Sequence, residues 1–224
     1  MFKPNRKTPR NLKKTEFGYT KDDTGSLVYD SPIEMGKYLY TSQGRASFRY
    51  QGTCGLCSCA NILRLSGVNY DEKDMIDYAT NTLSGEGEFE KLCVYNPINP
   101  WASGATSAED RKKILEHFGI RSDVFPVVLE NGIASEKTVN EIAKYVEDGR
   151  GVIISVHSSL LYYGRKIRND YHAVTVTSVV KDECGEIQGF YICDSNRGTK
   201  LYDTLEIRQA LTGVDMNVTD SCIR

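Results

Sequence analysis

A run of thiols beside an amide is the most reactive feature of this chain: Gln51-Gly52-Thr53-Cys54-Gly55-Leu56-Cys57-Ser58-Cys59-Ala60-Asn61-Ile62-Leu63. Gly52 and Gly55 permit a tight backbone. From Cys57 to Leu65 nothing breaks a helix, and Gly67 supplies a C-terminal stop. The pattern predicts a loop running into a helix, with Cys57 in its first turn. A thiol there meets unpaired backbone N–H groups and the positive end of the helix dipole, and both favour thiolate. Cys57 is therefore the expected nucleophile toward an acyl carbonyl. The side-chain amide of Gln51, six residues earlier, and the Cys57 N–H are the expected donors to the oxyanion.

Such a nucleophile needs a proton carrier, and the chain has three histidines. His117 lies in a helical stretch beside solvent-facing Lys113 and Glu116. His157 ends the apolar run Val152-Ile153-Ile154-Ser155-Val156. His172 opens His172-Ala173-Val174-Thr175-Val176, which alternates with period two like a half-buried strand. The residues alone leave the choice between His157 and His172 open.

The cysteine loop resembles the nucleophile signature of papain-like cysteine peptidases, Gln-Gly-x-Cys-Gly-x-Cys. Its six-residue step from Gln to Cys is also similar to the peptidase domains of bacterial peptide exporters. Ser58 stands where plant and lysosomal members usually carry Trp. The segment His172-Ala173-Val174 resembles the strand that carries the family's catalytic histidine. The resemblance implies an α+β, papain-like fold with the nucleophile at the N-terminus of a helix packed on an antiparallel sheet. It implies a Cys57–His172–Asp194 triad, with Asn196 as the alternate third member and Gln51 in the oxyanion hole. It implies no cofactor and no metal. If Cys54 followed the papain pattern it would form a disulfide, with Cys93 the positional candidate.

What the resemblance implies for function is an endopeptidase. A compact peptidase behind a basic arm also resembles toxin domains at the ends of bacterial secreted effectors, which implies delivery into a target-cell cytosol, cleavage of proteins there, and a dedicated immunity or inhibitor protein. Kinship to exporter peptidases implies cleavage after small residues such as Gly-Gly.

Three rivals share these residues. Cys54-Gly55-Leu56-Cys57 at a helix start is a Cys-x-x-Cys of the kind used in thiol–disulfide exchange. That chemistry has no use for Gln51, His172 or Asp194. Zinc needs four ligands in paired short spacings, and no second knuckle accompanies Cys54, Cys57 and Cys59. The same nucleophile and base also serve transglutaminases, deamidases and amidases. A non-catalytic binding module would not need so complete a set.

The rest of the chain must position these groups. With 224 residues, 40% hydrophobic, 26% charged and a net charge of −2, it reads as a soluble globular protein without an electrostatic case for nucleic acid or a span for a membrane. Seven cysteines form no regular framework and read as mostly reduced thiols, while the start lacks the apolar core of a signal peptide. Residues 1–15 carry six Lys or Arg and read as a basic tail or linker, and residues 16–224 as one domain.

A helix capped by Asn69 or Asp71 is expected over Met75, Ile76, Ala79 and Leu83. Others are expected after the boxes Thr106-Ser107-Ala108-Glu109 and Thr138-Val139-Asn140-Glu141. Between the first two, residues 84–104 form a long loop that either walls a substrate groove or is anchored to the core by Trp101. Strands follow over 151–157, 172–180, 187–194 and 200–205, with a hairpin turn at Gly185.

Overall fold

The structure is a computed structural model that describes residues 42–85, 90–211 and 215–223, plus the backbone of three short strands nearer the start. Those strands are β1 (Lys13–Lys14), β2 (Tyr19–Lys21) and β3 (Leu27–Tyr29). The expected basic tail lies outside the described residues except for Lys13 and Lys14, which pair with Lys21 and Thr20.

Helix α1 spans Cys54–Leu65, one turn longer at its start than the sequence suggests. Helix α2 (Glu72–Ala79) is capped by Asp71, which accepts from the Lys73 and Asp74 N–H groups while Asp74 returns the favour. Leu83 falls beyond it. Helix α3 (Ala108–His117) is capped by Ser107 with Asp110 as its partner, a register one residue later than Thr106 would set. Strand β4 is Ser122–Pro126, followed by the small hairpin β5 (Leu129–Glu130) and β6 (Ile133–Ala134). The cap of α4 (Glu136–Glu147) is Ser135, and Thr138 donates its N–H to that cap instead of being one.

The central strands are β7 (Val152–His157), β8 (Tyr171–Lys181) and β9 (Ile187–Asp194), with the short helix α5 (Ser158–Tyr163) between the first two. Strand β10 (Gly198–Asp203), helix α6 (Thr204–Ala210) and strand β11 (Asp215–Thr219) complete the described chain. No pattern in the sequence predicts the last two.

All the strand pairings are antiparallel, so the α+β class expected from the sequence is what the molecule shows, with helices interleaved among the strands. Strand β8 is the hub. Along its first half it pairs with β7, Val156 opposite His172, and along its second half with β9. Beyond β7 the sheet continues through β11 to β4.

Period-two alternation gives the sheet two apolar faces. Ile153, Ala173 and Cys193 pack with α1, α2 and α3, whereas Val152, Ile154, Val174, Val176 and Ile192 pack with α4, α5 and α6. Leu56, Ile62 and Leu63 of α1 are fully buried, each worth about 2 kcal/mol relative to exposure. That burial fixes α1 against the sheet and aims its first turn at the sheet end where β8 begins and β9 ends.

Candidate active site

The residue that α1 delivers to this end is Cys54, the first of the helix. The N–H of Ala173 donates to its sulfur at 3.4 Å, which places the thiol beside β8 one residue past His172. The N-cap Thr53 makes no side-chain capping bond, so the first turn directs uncapped N–H groups at the same space. Burial pushes the Cys54 thiol up, but a hydrogen bond and the charge of His172, the Ala173 N–H and the charge of Arg111 outweigh it and leave the thiol below its ordinary value of 9.0.

His172 is held from the other side. Its Nε2 lies 2.9 Å from Asp194 Oδ1, both residues buried, which leaves Nδ1 for the thiol. Burial lowers the imidazole's affinity for a proton, yet the hydrogen bonds to Asp194 and Cys54 raise it to about 10. Burial would also raise Asp194. His172, then the hydroxyl of Tyr162 and the N–H of Asn196, hold it below the usual carboxylate range instead.

Tyr162 donates to Asp194 Oδ2 at 2.7 Å and the Asn196 N–H donates to Oδ1 at 2.7 Å, so the carboxylate cannot rotate without losing a partner. Tyr162 itself sits under the Arg197 guanidinium, 4.1 Å from the ring centroid. Asn196 thus braces Asp194 through its backbone N–H, and its side chain hydrogen-bonds Tyr162.

The structure brings Cys54, and not Cys57, beside His172. Cys57 lies one helical turn deeper and is fully buried, with its sulfur 3.9 Å from Thr53 Oγ1. Burial, and then the charge of Glu72, push its thiol well above the ordinary value. The two cysteines exchange places because the helix starts at Cys54. Gly55 fits inside the first turn because it lacks a Cβ, which would overlap the Thr106 hydroxyl. Cys54 and Cys93 are both free thiols, and the structure holds no bond between them.

Gln51 is therefore three residues from the thiol beside His172, not six. It is half-buried, and its amide donates to the Phe48 carbonyl at 3.3 Å, away from the role expected of it. A different glutamine, Gln43, ties the cysteine loop to the Asp194 turn. It donates to the Gln51 carbonyl at 3.1 Å and accepts from Ser195 Oγ at 2.7 Å. Glu72, also buried, accepts from the N–H groups of Gly44 (2.5 Å), Arg45 (3.0 Å) and Ala46 (2.8 Å) and from the Thr53 hydroxyl. Neither role is visible in the sequence, since both depend on contacts across the chain.

The loop expected to flank the groove does lie against the cysteine loop. Gln51 N–H donates to Pro100 and Gly52 N–H to Ser103, and a Cβ on Gly52 would collide with the Trp101 carbonyl. Trp101 itself is 70% exposed, so it does not anchor the loop to the core. His157 is buried at the start of α5 and contacts Ser159 and Asp170, while His117 stacks on Tyr78 at 3.8 Å. Neither is brought to Cys54. Among the described residues no cluster of three or more His, Cys, Asp or Glu is placed to hold a metal, and no helix is long and apolar enough to cross a membrane.

Comparison with solved structures gives the fold its class, a papain-like one. A crystal structure of a C39-like peptidase from Bacillus anthracis superposes with a TM-score of 0.53 at 13% identity, covering 82% of this chain and 94% of that one. Two others match at a TM-score of 0.45. One is a double glycine motif protease from an AMS/PCAT transporter, solved with its leader peptide, at 13% identity over 80% of this chain and 89% of that one. The other is the peptidase domain of Streptococcus ComA, at 12% identity over 80% and 98%. No protein-family model matches the sequence, and no curated protein does.

Proposed function

We propose that the protein is a papain-like cysteine peptidase whose nucleophile is Cys54. The observation that carries this reading is the convergence of Cys54, His172 and Asp194, with the Ala173 N–H on the sulfur. Thiolate and imidazolium form an ion pair, because the thiol is lowered and the imidazole raised relative to their ordinary values. The Cys54 sulfur attacks the scissile carbonyl carbon. The oxyanion develops against the uncapped N–H groups at the start of α1, each such donor being worth about 3 kcal/mol. His172 then gives its proton to the leaving amine and accepts one from the water that releases the acyl group, while Asp194 holds the ring.

The substrate is a peptide or protein chain laid between the Cys54 loop and the loop bearing Trp101. A role as a delivered effector with a dedicated inhibitor, and a preference for cutting after Gly-Gly, rest on the motif resemblance. The test is incubation with a diverse peptide mixture in ¹⁸O-labelled water, reading new termini by mass spectrometry. Cleavage by wild type and Cys57→Ala, lost in Cys54→Ala and His172→Ala, is expected. The residues preceding each cut report the Gly-Gly preference. Products joined to amines without ¹⁸O would mark acyl transfer instead, and cleavage that survives in Cys54→Ala but not in Cys57→Ala would overturn the assignment.

A further inference from the structure

Arg111 is a buried charge that no carboxylate among the described residues contacts directly, Asp110 and Asp215 acting on it only from farther away. It is the fourth residue of α3, 3% exposed, and its guanidinium donates to neutral acceptors: Nε to Asn217 Oδ1 at 2.8 Å, Nη2 to Ser155 Oγ at 2.9 Å and Nη1 to the Thr106 carbonyl at 3.3 Å. Among the described residues no carboxylate lies within ion-pair distance of it. Its neighbour Asp110 is committed to Ser84 and to the Ser107 N–H and hydroxyl. Desolvating a guanidinium is costly, and neutral hydrogen bonds recover only part of the cost, so an unpaired buried cation calls for an anion nearby.

Its position says which anion. The Arg111 Cδ lies 3.3 Å from where a Cβ on Gly55 would be, directly behind the residue after Cys54. Ser155, which holds Nη2, pairs across the sheet with Ala173, the residue whose N–H reaches the Cys54 sulfur. Cys59 is the other ionisable neighbour, its sulfur 3.9 Å from the Arg111 carbonyl, but burial raises that thiol to about 12.

We propose that Arg111 is a positioning residue for the reaction, a fixed positive charge behind the first turn of α1 that holds Cys54 in its thiolate form. The inference rests on Cys54 being the nucleophile. Arg111 touches neither substrate nor the reacting atoms. It acts through the field at the sulfur, adding to the helix dipole a charge that survives when His172 loses its proton. Burial lowers the affinity of the guanidinium for its proton, and the Cys59 and Cys54 thiols, followed by the carboxylates of Asp110 and Asp215, pull it back.

The experiment is the rate of Cys54 alkylation by iodoacetamide from pH 4 to 10, read by intact mass and peptide mapping. Wild type, Arg111→Lys and Arg111→Gln are compared, with thermal unfolding measured in parallel. Arg111→Gln should move the midpoint of the rate profile upward by about one pH unit, making labelling roughly tenfold slower on the acid side with the alkaline plateau unchanged. Arg111→Lys should keep the midpoint near wild type. Should Arg111→Gln fail to fold, Asn217→Asp neutralises the guanidinium in place and should shift the midpoint the same way. An unshifted midpoint in a folded Arg111→Gln or Asn217→Asp, even with lowered thermal stability, reduces Arg111 to a structural tie and overturns the proposal. Absence of Cys54 labelling in wild type would instead overturn the nucleophile assignment beneath it.

Discussion

The backbone N–H of Ala173 points at the sulfur of Cys54, 3.4 Å away and 119 residues along the chain. This contact couples the first turn of α1 to the first residues of β8. Since His172 precedes Ala173, any shift of the helix along the strand separates thiol from imidazole. The position of Cys54 is thus set by the packing of Leu56, Ile62 and Leu63 beneath the sheet.

The opposed shifts of Cys54 and His172 fix the pH dependence. The proposed ion pair would exist above the depressed thiol pKa and below about 10, where the imidazolium loses its proton. The profile of kcat/KM should therefore rise through a limb below 9.0 and fall through one near 10. The stability linked to His172 has the same upper bound: its folded pKa lies above the ordinary 6.5, so the contribution is complete below that value and is lost as pH rises through about 10. An alkaline limb near 6.5 would mean that Asp194 does not support the imidazolium.

Tyr162 was not singled out in the sequence, yet it completes the hydrogen-bonding of Asp194. Tyr162→Phe leaves a buried carboxylate oxygen with one donor fewer, and should lower unfolding free energy by about 1 to 3 kcal/mol and kcat several-fold. Asp194→Asn should do more, pulling the alkaline limb of the profile downward. Urea unfolding and a pH–rate series on both variants check this. A Tyr162→Phe variant with unchanged stability would contradict the bracing role.

Glu72 gathers three backbone N–H groups and the Thr53 hydroxyl on one buried carboxylate. Glu72→Gln replaces an acceptor of four bonds with a group that accepts fewer and adds two donors with nowhere to go. A loss of about 2 to 4 kcal/mol in unfolding free energy is expected, with the site of alkylation still Cys54. Removing the carboxylate also removes a charge that keeps the Cys57 thiol high, so Cys57 should become easier to ionise, though still buried. A change in unfolding free energy below about 0.5 kcal/mol would show that the loop needs no such clamp.

Strand-borne features were legible in the sequence, because alternation over 172–180 and 187–194 marks where strands begin and end, and His172 and Asp194 sit at those points. The helix start was not legible. Gly55 looks like a loop residue, and only its close approach to Thr106 explains why it lies inside a helix; the helix starts three residues earlier than the pattern suggests, which puts Cys54 instead of Cys57 at its first position. Cap registers slipped for a similar reason, since Thr106 and Ser107, or Ser135 and Thr138, differ little as caps until the packing chooses. Tyr162, Gln43, Glu72 and Arg111 carry no local signal at all. Each has a partner 19 or more positions away, reached through folding that no local pattern encodes.

The most direct test of the assignment is intact-mass and peptide mapping after brief exposure to a peptide-like epoxide at neutral pH, using wild type, Cys54→Ala, Cys57→Ala and His172→Ala. A single adduct on Cys54 is expected, present in Cys57→Ala, absent in Cys54→Ala and formed far more slowly in His172→Ala. An adduct on Cys57 that persists when Cys54 is replaced would contradict the arrangement, placing the reactive thiol one turn deeper than the contact with Ala173 allows.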